Sequence, residues 1–203
     1  MSNEQRYDLA LSFWTASFQY LMFAENVARE TASQDNVWVM VRDFKEGPIG
    51  PEEYAEATRW SDHSVIIPLL FNLLHGIELL VKGFLLVDPA ETVEKEHNIC
   101  ELCARFKAKY PEETTLNNFF DKYTNESCMP ELLRRFLADN GLQVDGLYQA
   151  LRYPSPDFST MRRYSTLKYQ GQKGTPFFTE LCQDIHAVRI ASVRLGREWE
   201  SKK

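Results

Sequence analysis

A long run of apolar positions covers residues 64–87 and predicts a helix that is apolar on most of its circumference. At 100° per residue, its polar side chains His75, Glu78 and Lys82 fall on one narrow stripe. Gly76 and Gly83 form a neighbouring stripe, where a second helix or subunit can approach closely. A membrane span would place those three ionisable side chains in hydrocarbon, so we expect the buried central helix of a bundle and no membrane.

Periodic apolar positions predict three further long helices, over residues 4–31, 94–109 and 177–200. Shorter helices are predicted over residues 52–60, 114–123, 130–139 and 145–152. The predicted apolar face of the first helix consists of Leu9, Phe13, Ala16, Tyr20, Phe23 or Ala24, and Val27.

Two segments depart from the helical pattern. Residues 161–170 alternate and are followed by a Gly-rich turn, which predicts a small β-hairpin-like excursion near 161–176. Residues 37–44 are rich in β-branched side chains, and both a strand and a short helix fit them. The sequence therefore predicts an all-α fold: one domain over residues 1–203, a bundle of four long helices plus short ones with one β excursion.

Composition narrows the class of protein. A net charge of −6 over 203 residues argues against a general binder of polyanions. The first ten residues lack the basic and apolar regions of a signal peptide, and four cysteines without such a signal indicate reduced thiols in the cytoplasm. Cys100, Cys103 and His97 have the spacing of metal ligands, but they lie on one helix without a turn, so we expect neither a metal nor another cofactor.

Three motifs follow one another between residues 64 and 154. Glu78 and Lys82 form an E-x-x-x-K pattern in the central helix, and His97 begins an H-x-I-x-x-L pattern. Arg152 and Tyr153 then precede a proline at the end of a short helix. In this order the motifs resemble the HEPN family, the higher eukaryotes and prokaryotes nucleotide-binding domain.

The resemblance implies a helical bundle, frequent homodimerisation and a role with nucleotides or RNA. Many members are metal-independent ribonucleases of toxin–antitoxin or anti-phage systems, and these use an R-x(4–6)-H motif. In this chain no arginine stands at that distance before any histidine, because Arg59 precedes His63 with one residue too few between them. The departure favours the non-catalytic members of the family.

Eight side chains are the candidate contacts with a nucleotide or RNA. Three come from the helix ends in the motifs, two from the central helix and three from a basic segment that contains no acid over residues 162–179. They are Arg152, Tyr153, His97, Glu78, Lys82, Arg162, Arg163 and Lys168.

Each candidate also has a structural interpretation. Arg152 and Tyr153 suit a phosphate and a stacked base, but Arg152 could instead pair with a carboxylate such as Glu78. Glu78 and Lys82 are spaced for a buried salt bridge, and we favour that interpretation. His97 could cap its helix or face solvent, and the basic segment could be a solvated surface.

Three functions fit these observations. We favour a cytoplasmic, dimeric, non-catalytic module that binds a nucleotide or RNA and has an accessory or regulatory role. The first alternative is a divergent ribonuclease that uses His97 or His75 with Arg152. The second is a purely structural protein-interaction module, in which the polar stripe of the central helix contacts a partner chain.

Overall fold

The computed structural model describes residues 2–37, 50–91, 97–155 and 161–200, and this part of the chain is helical without a strand. The predicted all-α class is therefore confirmed. The question of strand or helix at 37–44 lies, apart from Val37, outside the described residues. The helices are α1 (Asn3–Ser33), α2 (Pro51–Ala57), α3 (Asp62–Leu86), α4 (Ile99–Lys109), α5 (Thr114–Thr124), α6 (Glu131–Asn140), α7 (Val144–Arg152) and α8 (Thr175–Glu200).

Helix α3 is the central element of the fold. Its apolar side chains pack into one hydrophobic core with those of α1, α4, α5, α7 and α8. The helix begins at Asp62, with Ser61 at the N-cap position, so Pro68 lies in its second turn. By length and composition α3 could cross a membrane, but 61% of its most apolar window is buried inside the protein, as in the core helix of a soluble bundle.

Helix α1 packs against the stripe of α3 that contains Gly76 and Gly83. A Cβ atom at Gly83 would lie 2.5 Å from the Trp14 ring, and one at Gly76 would lie 2.9 Å from Leu21. The Ser17 hydroxyl donates a hydrogen bond to the Gly76 carbonyl over 2.7 Å, which binds the two backbones together. The predicted close approach of a neighbouring helix at these glycines is thus confirmed within the chain.

The face of α1 that enters the core differs from the predicted one. Ala10, Trp14, Leu21, Ala24 and Ala28 are buried, together with the hydroxyl of Ser17. The predicted stripe lies one residue, or about 100°, round the helix: Ala24 and Val27 are buried as predicted, but Leu9 and Phe23 are 39% and 49% exposed. The glycines of α3 were the better signal, because they leave room for the large side chains of Trp14 and Leu21 on the face of α1 that they meet.

Helix α8 packs along α1 in the opposite direction. Trp14 near the start of α1 lies beside Gly196 near the end of α8, and Glu25 further along α1 pairs with Arg189. The Glu25 carboxylate is 5% exposed and lies 2.7 Å from the Arg189 guanidinium. These contacts leave an open groove between α1 and α8 on the side away from α3.

Residues 161–176 do not form the predicted β-hairpin-like excursion. They form two short 3₁₀ turns, Tyr164–Thr166 and Gly171–Gly174, and the second leads directly into α8. The buried carboxylate of Asp62 accepts hydrogen bonds from the backbone N–H groups of Tyr169 and Gln170, each over 2.7 Å. Tyr169 and Gly171 have positive φ angles of 64° and 56°, so the backbone curls around this carboxylate instead of extending.

Candidate functional site

The carboxylate of Glu78 is the centre of a polar cluster beside α3. It lies 2.7 Å from the Lys82 ammonium and accepts a hydrogen bond from His97 Nδ1 over 3.1 Å. His75 Nδ1 lies 3.6 Å from its second oxygen. Glu78 and Lys82 are 4% and 5% exposed, so the favoured prediction of a buried salt bridge matches the geometry.

Aromatic rings surround the outer side of this cluster. The Tyr148 hydroxyl is hydrogen-bonded to His75 Nδ1 over 2.6 Å, and Phe71 stacks on both rings. Tyr20 of α1 meets the His75 ring edge-on, with a centroid distance of 4.5 Å. Helices α1, α3 and α7 therefore hold His75 in one orientation, and the imidazole links Tyr148 to Glu78.

The start of α4 places His97 at the mouth of the cluster. Asn98 is the N-cap residue, and its side-chain oxygen accepts from the Glu101 backbone N–H. The Asn98 amide also donates to Asp145 at the start of α7, over 3.1 Å. His97 is consequently held by its neighbour while its own side chain remains 77% exposed. It does not cap the helix, as one interpretation proposed, but binds Glu78.

Arg152 lies at the open end of the cluster. Its guanidinium stands 5.9 Å from the centre of the Tyr148 ring and 5.3 Å from that of Tyr153, the distances of a cation–π contact. Among the described residues no carboxylate is within 4 Å of it, so it does not form the alternative ion pair with Glu78. Tyr153 is 51% exposed, and the side chains of Arg152 and Tyr153 both reach solvent.

The cluster shifts the protonation of its own members. Burial alone would raise the pKa of Glu78, but hydrogen bonds from His75, Lys82 and His97 and the charge of Lys82 outweigh it and lower that pKa to about 2. Burial, followed by the Glu78 charge, raises the pKa of Tyr148. At neutral pH the cluster therefore holds a carboxylate and a neutral phenol side by side.

We expect Glu78 to make the fold sensitive to acid. A carboxylate with a folded-state pKa below its usual value stabilises the protein above about pH 4.5, and this stabilisation is lost as the pH falls towards 2. In urea titrations between pH 6 and 2.5, the wild type should therefore lose more free energy of unfolding than Glu78→Gln. The control is Glu56→Gln, since Glu56 is 67% exposed. Parallel curves for the wild type and Glu78→Gln would contradict the assignment.

The predicted basic segment is divided by the fold. Arg162 and Arg163 lie beside the end of α7, because the Arg162 backbone N–H donates to the Pro154 carbonyl and that of Arg163 to Asn140. Lys168 lies in the turn that binds Asp62, at the other end of α3 from Glu78, about 24 Å along the helix axis. Only Arg162 and Arg163 thus lie near Arg152, and Lys168 belongs to a separate surface.

Three aromatic residues of the cluster were not among the predicted site residues. Tyr20 was assigned to a packing face, and neither Phe71 nor Tyr148 was proposed as a site residue. Tyr148 precedes Arg152 by one helical turn, and that spacing is a signal that could have linked them.

The thiols near the site are unsuited to metal or redox chemistry. Burial raises the pKa of both Cys100 and Cys103 to about 12, and Cys103 lies in the core. The Cys100 thiol donates to the Thr124 carbonyl. Within the described ranges, no three histidine, cysteine or acidic side chains are grouped closely enough to hold a metal ion.

The polar stripe of α3 is covered by other parts of the same chain. Glu78 and Lys82 lie beneath the start of α4, so neither offers an open contact to a partner chain. What the cluster exposes is its rim, formed by His97, Arg152 and Tyr153.

No family model matches this chain, and comparisons with curated proteins and with solved structures found no significant match.

Proposed function

We propose that this protein is a non-catalytic, HEPN-like module that binds a nucleotide or RNA at the rim of the Glu78 cluster. The observation that supports this most is Arg152: an exposed guanidinium between two tyrosine rings, with no carboxylate within 4 Å among the residues that the structure describes. Guanidinium groups bind phosphate through two parallel hydrogen bonds, and an exposed tyrosine offers a face for a base. The His97 imidazole, whose side chain is 77% exposed, lies on the same rim.

The buried part of the cluster has a supporting role in this proposal. Glu78 is engaged by Lys82, His97 and His75, so its charge is already compensated without a ligand. That compensation keeps a buried carboxylate from repelling a phosphate bound near Arg152. The residues that contact the ligand are therefore Arg152, Tyr153 and His97, while Glu78 and Lys82 position them.

We expect ligand-dependent thermal stabilisation that requires Arg152. A ligand at 100 times its Kd adds about 2.7 kcal/mol of stability, which for a chain of this size raises Tm by about 5–10 °C. Scans with individual nucleotides and short single-stranded RNAs should show this rise in the wild type and not in Arg152→Ala. Arg59→Ala is the matched control, because Arg59 is an exposed arginine near the far end of α3. Equal stabilisation of the wild type and Arg152→Ala would show that Arg152 is not part of the binding site.

A second function is favoured by one observation, the two histidines on one carboxylate with Arg152 across the Tyr148 ring. Such groups can perform general acid–base cleavage of RNA without a metal. The RNA samples of the binding experiment, run on a gel after incubation in EDTA, test this function. Cleavage that disappears in His97→Ala would replace the binding function by that of a divergent ribonuclease.

A further inference from the structure

The open groove between α1 and α8 is a second candidate site, separate from the Glu78 cluster. It consists of a cavity of about 700 Å³ and a smaller one of about 180 Å³, which share Phe18, Val193 and Arg197 as walls. Pockets that bind small molecules have about 300–1,000 Å³. The combined space is therefore large enough for an organic ligand.

The walls of the groove are apolar although they face solvent. Ile190 is 61% exposed, Val193 42% and Leu11 48%, and Phe18 is only partly buried. Ile190 and Val193 are three residues apart on α8, and Leu11 and Phe18 are seven residues apart on α1, so each pair shares one face of its helix and the two pairs line the groove together. A contiguous apolar strip on a surface typically marks a place that another molecule covers.

The inner end of the groove contains a hydroxyl group without a partner. Ser192 is 3% exposed, lines the smaller cavity, and its Oγ makes no hydrogen bond among the described residues. Gly196, one turn further, leaves the space open, because even a Cβ there would lie 3.7 Å from the Trp14 ring. A buried hydroxyl without a hydrogen bond is costly, and a ligand oxygen in this space would satisfy it.

The charged side chains around the groove favour a ligand with a negative charge. The larger cavity is lined by Arg189, Arg194, Arg197 and His186 against one acid, Glu198. Arg189 pairs with Glu25, and Arg194 pairs with Glu113 and Glu198. Arg197 has no carboxylate within 4 Å in the described part of the chain, although Glu200 also lines the smaller cavity.

We propose that this groove binds an amphiphilic carboxylate, with an aliphatic tail along Phe18, Ile190 and Val193 and its carboxylate at Arg197 and Ser192. An apolar strip alone would accept any hydrophobic molecule. Arg197, which has no carboxylate within 4 Å among the described residues, is a wall of both cavities, and the Ser192 hydroxyl lies in the smaller one; these two groups favour a carboxylate as the head group. The proposal is independent of the nucleotide function, because the two sites share no residue.

The test uses three probes that share a ten-carbon chain and differ in the head group: decanoate and decyltrimethylammonium, each below its micelle concentration, and decanol below its solubility limit. Isothermal titration calorimetry with the full chain should show binding of decanoate and about tenfold weaker or no binding of the other two. Arg197→Gln should weaken decanoate binding about tenfold and leave decanol unchanged, and Ile190→Asp should weaken both. The control is Arg134→Gln, an exposed arginine on α6.

Several results would overturn this assignment. Equal affinity for decanoate and decanol, unchanged decanoate binding in Arg197→Gln, or no binding of any probe would each exclude an amphiphilic carboxylate site. Sedimentation equilibrium on the same samples detects self-association, and a dimer that Ile190→Asp dissociates and decanoate does not would assign the groove to a second copy. Arg152→Ala should leave decanoate binding unchanged, so failure here is distinguishable from failure of the nucleotide site.

Discussion

Replacing Lys82 with methionine is expected to lower the free energy of unfolding by about 3–5 kcal/mol. The ammonium of Lys82 lies 2.7 Å from Glu78, and both side chains are at least 93% buried. Methionine fills a similar volume, so the change removes the charge and leaves Glu78 as a buried anion with only histidine partners. The cost arises from the uncompensated carboxylate, since a missing ion pair at the surface is worth about 1 kcal/mol or less.

Urea denaturation of Lys82→Met, compared with Lys107→Met, measures this effect. Lys107 also pairs with an acid, Asp121, but its side chain is 54% exposed. The double variant Glu78→Gln/Lys82→Met should recover part of the loss, because it removes the buried charge together with its partner. If Lys82→Met were no more destabilising than Lys107→Met, the Glu78 cluster would not be the electrostatic centre of the fold.

The buried Glu78–Lys82 pair also affects the exposed rim of the cluster, because it sets the orientation of the rings there. His97 and His75 are both oriented by Glu78, and Tyr148 is oriented by His75. A change at Lys82 should therefore disturb ligand binding through the positions of these rings, even though Lys82 reaches no ligand. Arg152 depends least on the pair, because its guanidinium is held over the rings of Tyr148 and Tyr153 and not by Glu78 or Lys82.

Local periodicity was sufficient to predict the central helix and its polar stripe. Residues three or four positions apart share one face of a helix regardless of what the helix packs against, so the proximity of Glu78 and Lys82 can be predicted from their spacing. His97 came from the motif order, which does not depend on tertiary contacts. The predicted start of α4 at residue 94 was too early, and the helix begins at Ile99. The two residues before it have other roles, since His97 contacts Glu78 and Asn98 caps the helix.

Local sequence patterns could not predict contacts between distant parts of the chain. The alternation at 161–170 indicates extended structure, yet a carboxylate about 107 residues away binds Tyr169 and turns the backbone. The same limit applies to Lys168, which follows Arg163 by five residues: Arg163 binds Asn140 at the end of α6, whereas Lys168 lies next to the turn that binds Asp62 at the start of α3. Sequence proximity gave one basic segment, and the turn around Asp62 divides it.

The closest contact between α1 and α3 leads to the second large effect. We expect Gly83→Leu to lower the free energy of unfolding by about 3 kcal/mol or more, the upper part of the range for overpacked cores. Even a Cβ at this position would lie 2.5 Å from two atoms of the Trp14 ring and 3.2 Å from the Ala10 carbonyl. The ring cannot easily move away, because it also packs on Phe84 with a centroid distance of 4.9 Å.

Gly50→Leu is the matched control, since a Cβ there meets nothing within 4 Å, and its expected change is below about 1 kcal/mol. Trp14→Ala alone should cost about 3–5 kcal/mol, because it leaves a cavity in the core. The double variant Trp14→Ala/Gly83→Leu moves the side-chain volume from α1 to α3 and should be more stable than the sum of the single changes predicts. Strict additivity would show that the two helices do not meet at this glycine, and the bundle would need another register between α1 and α3.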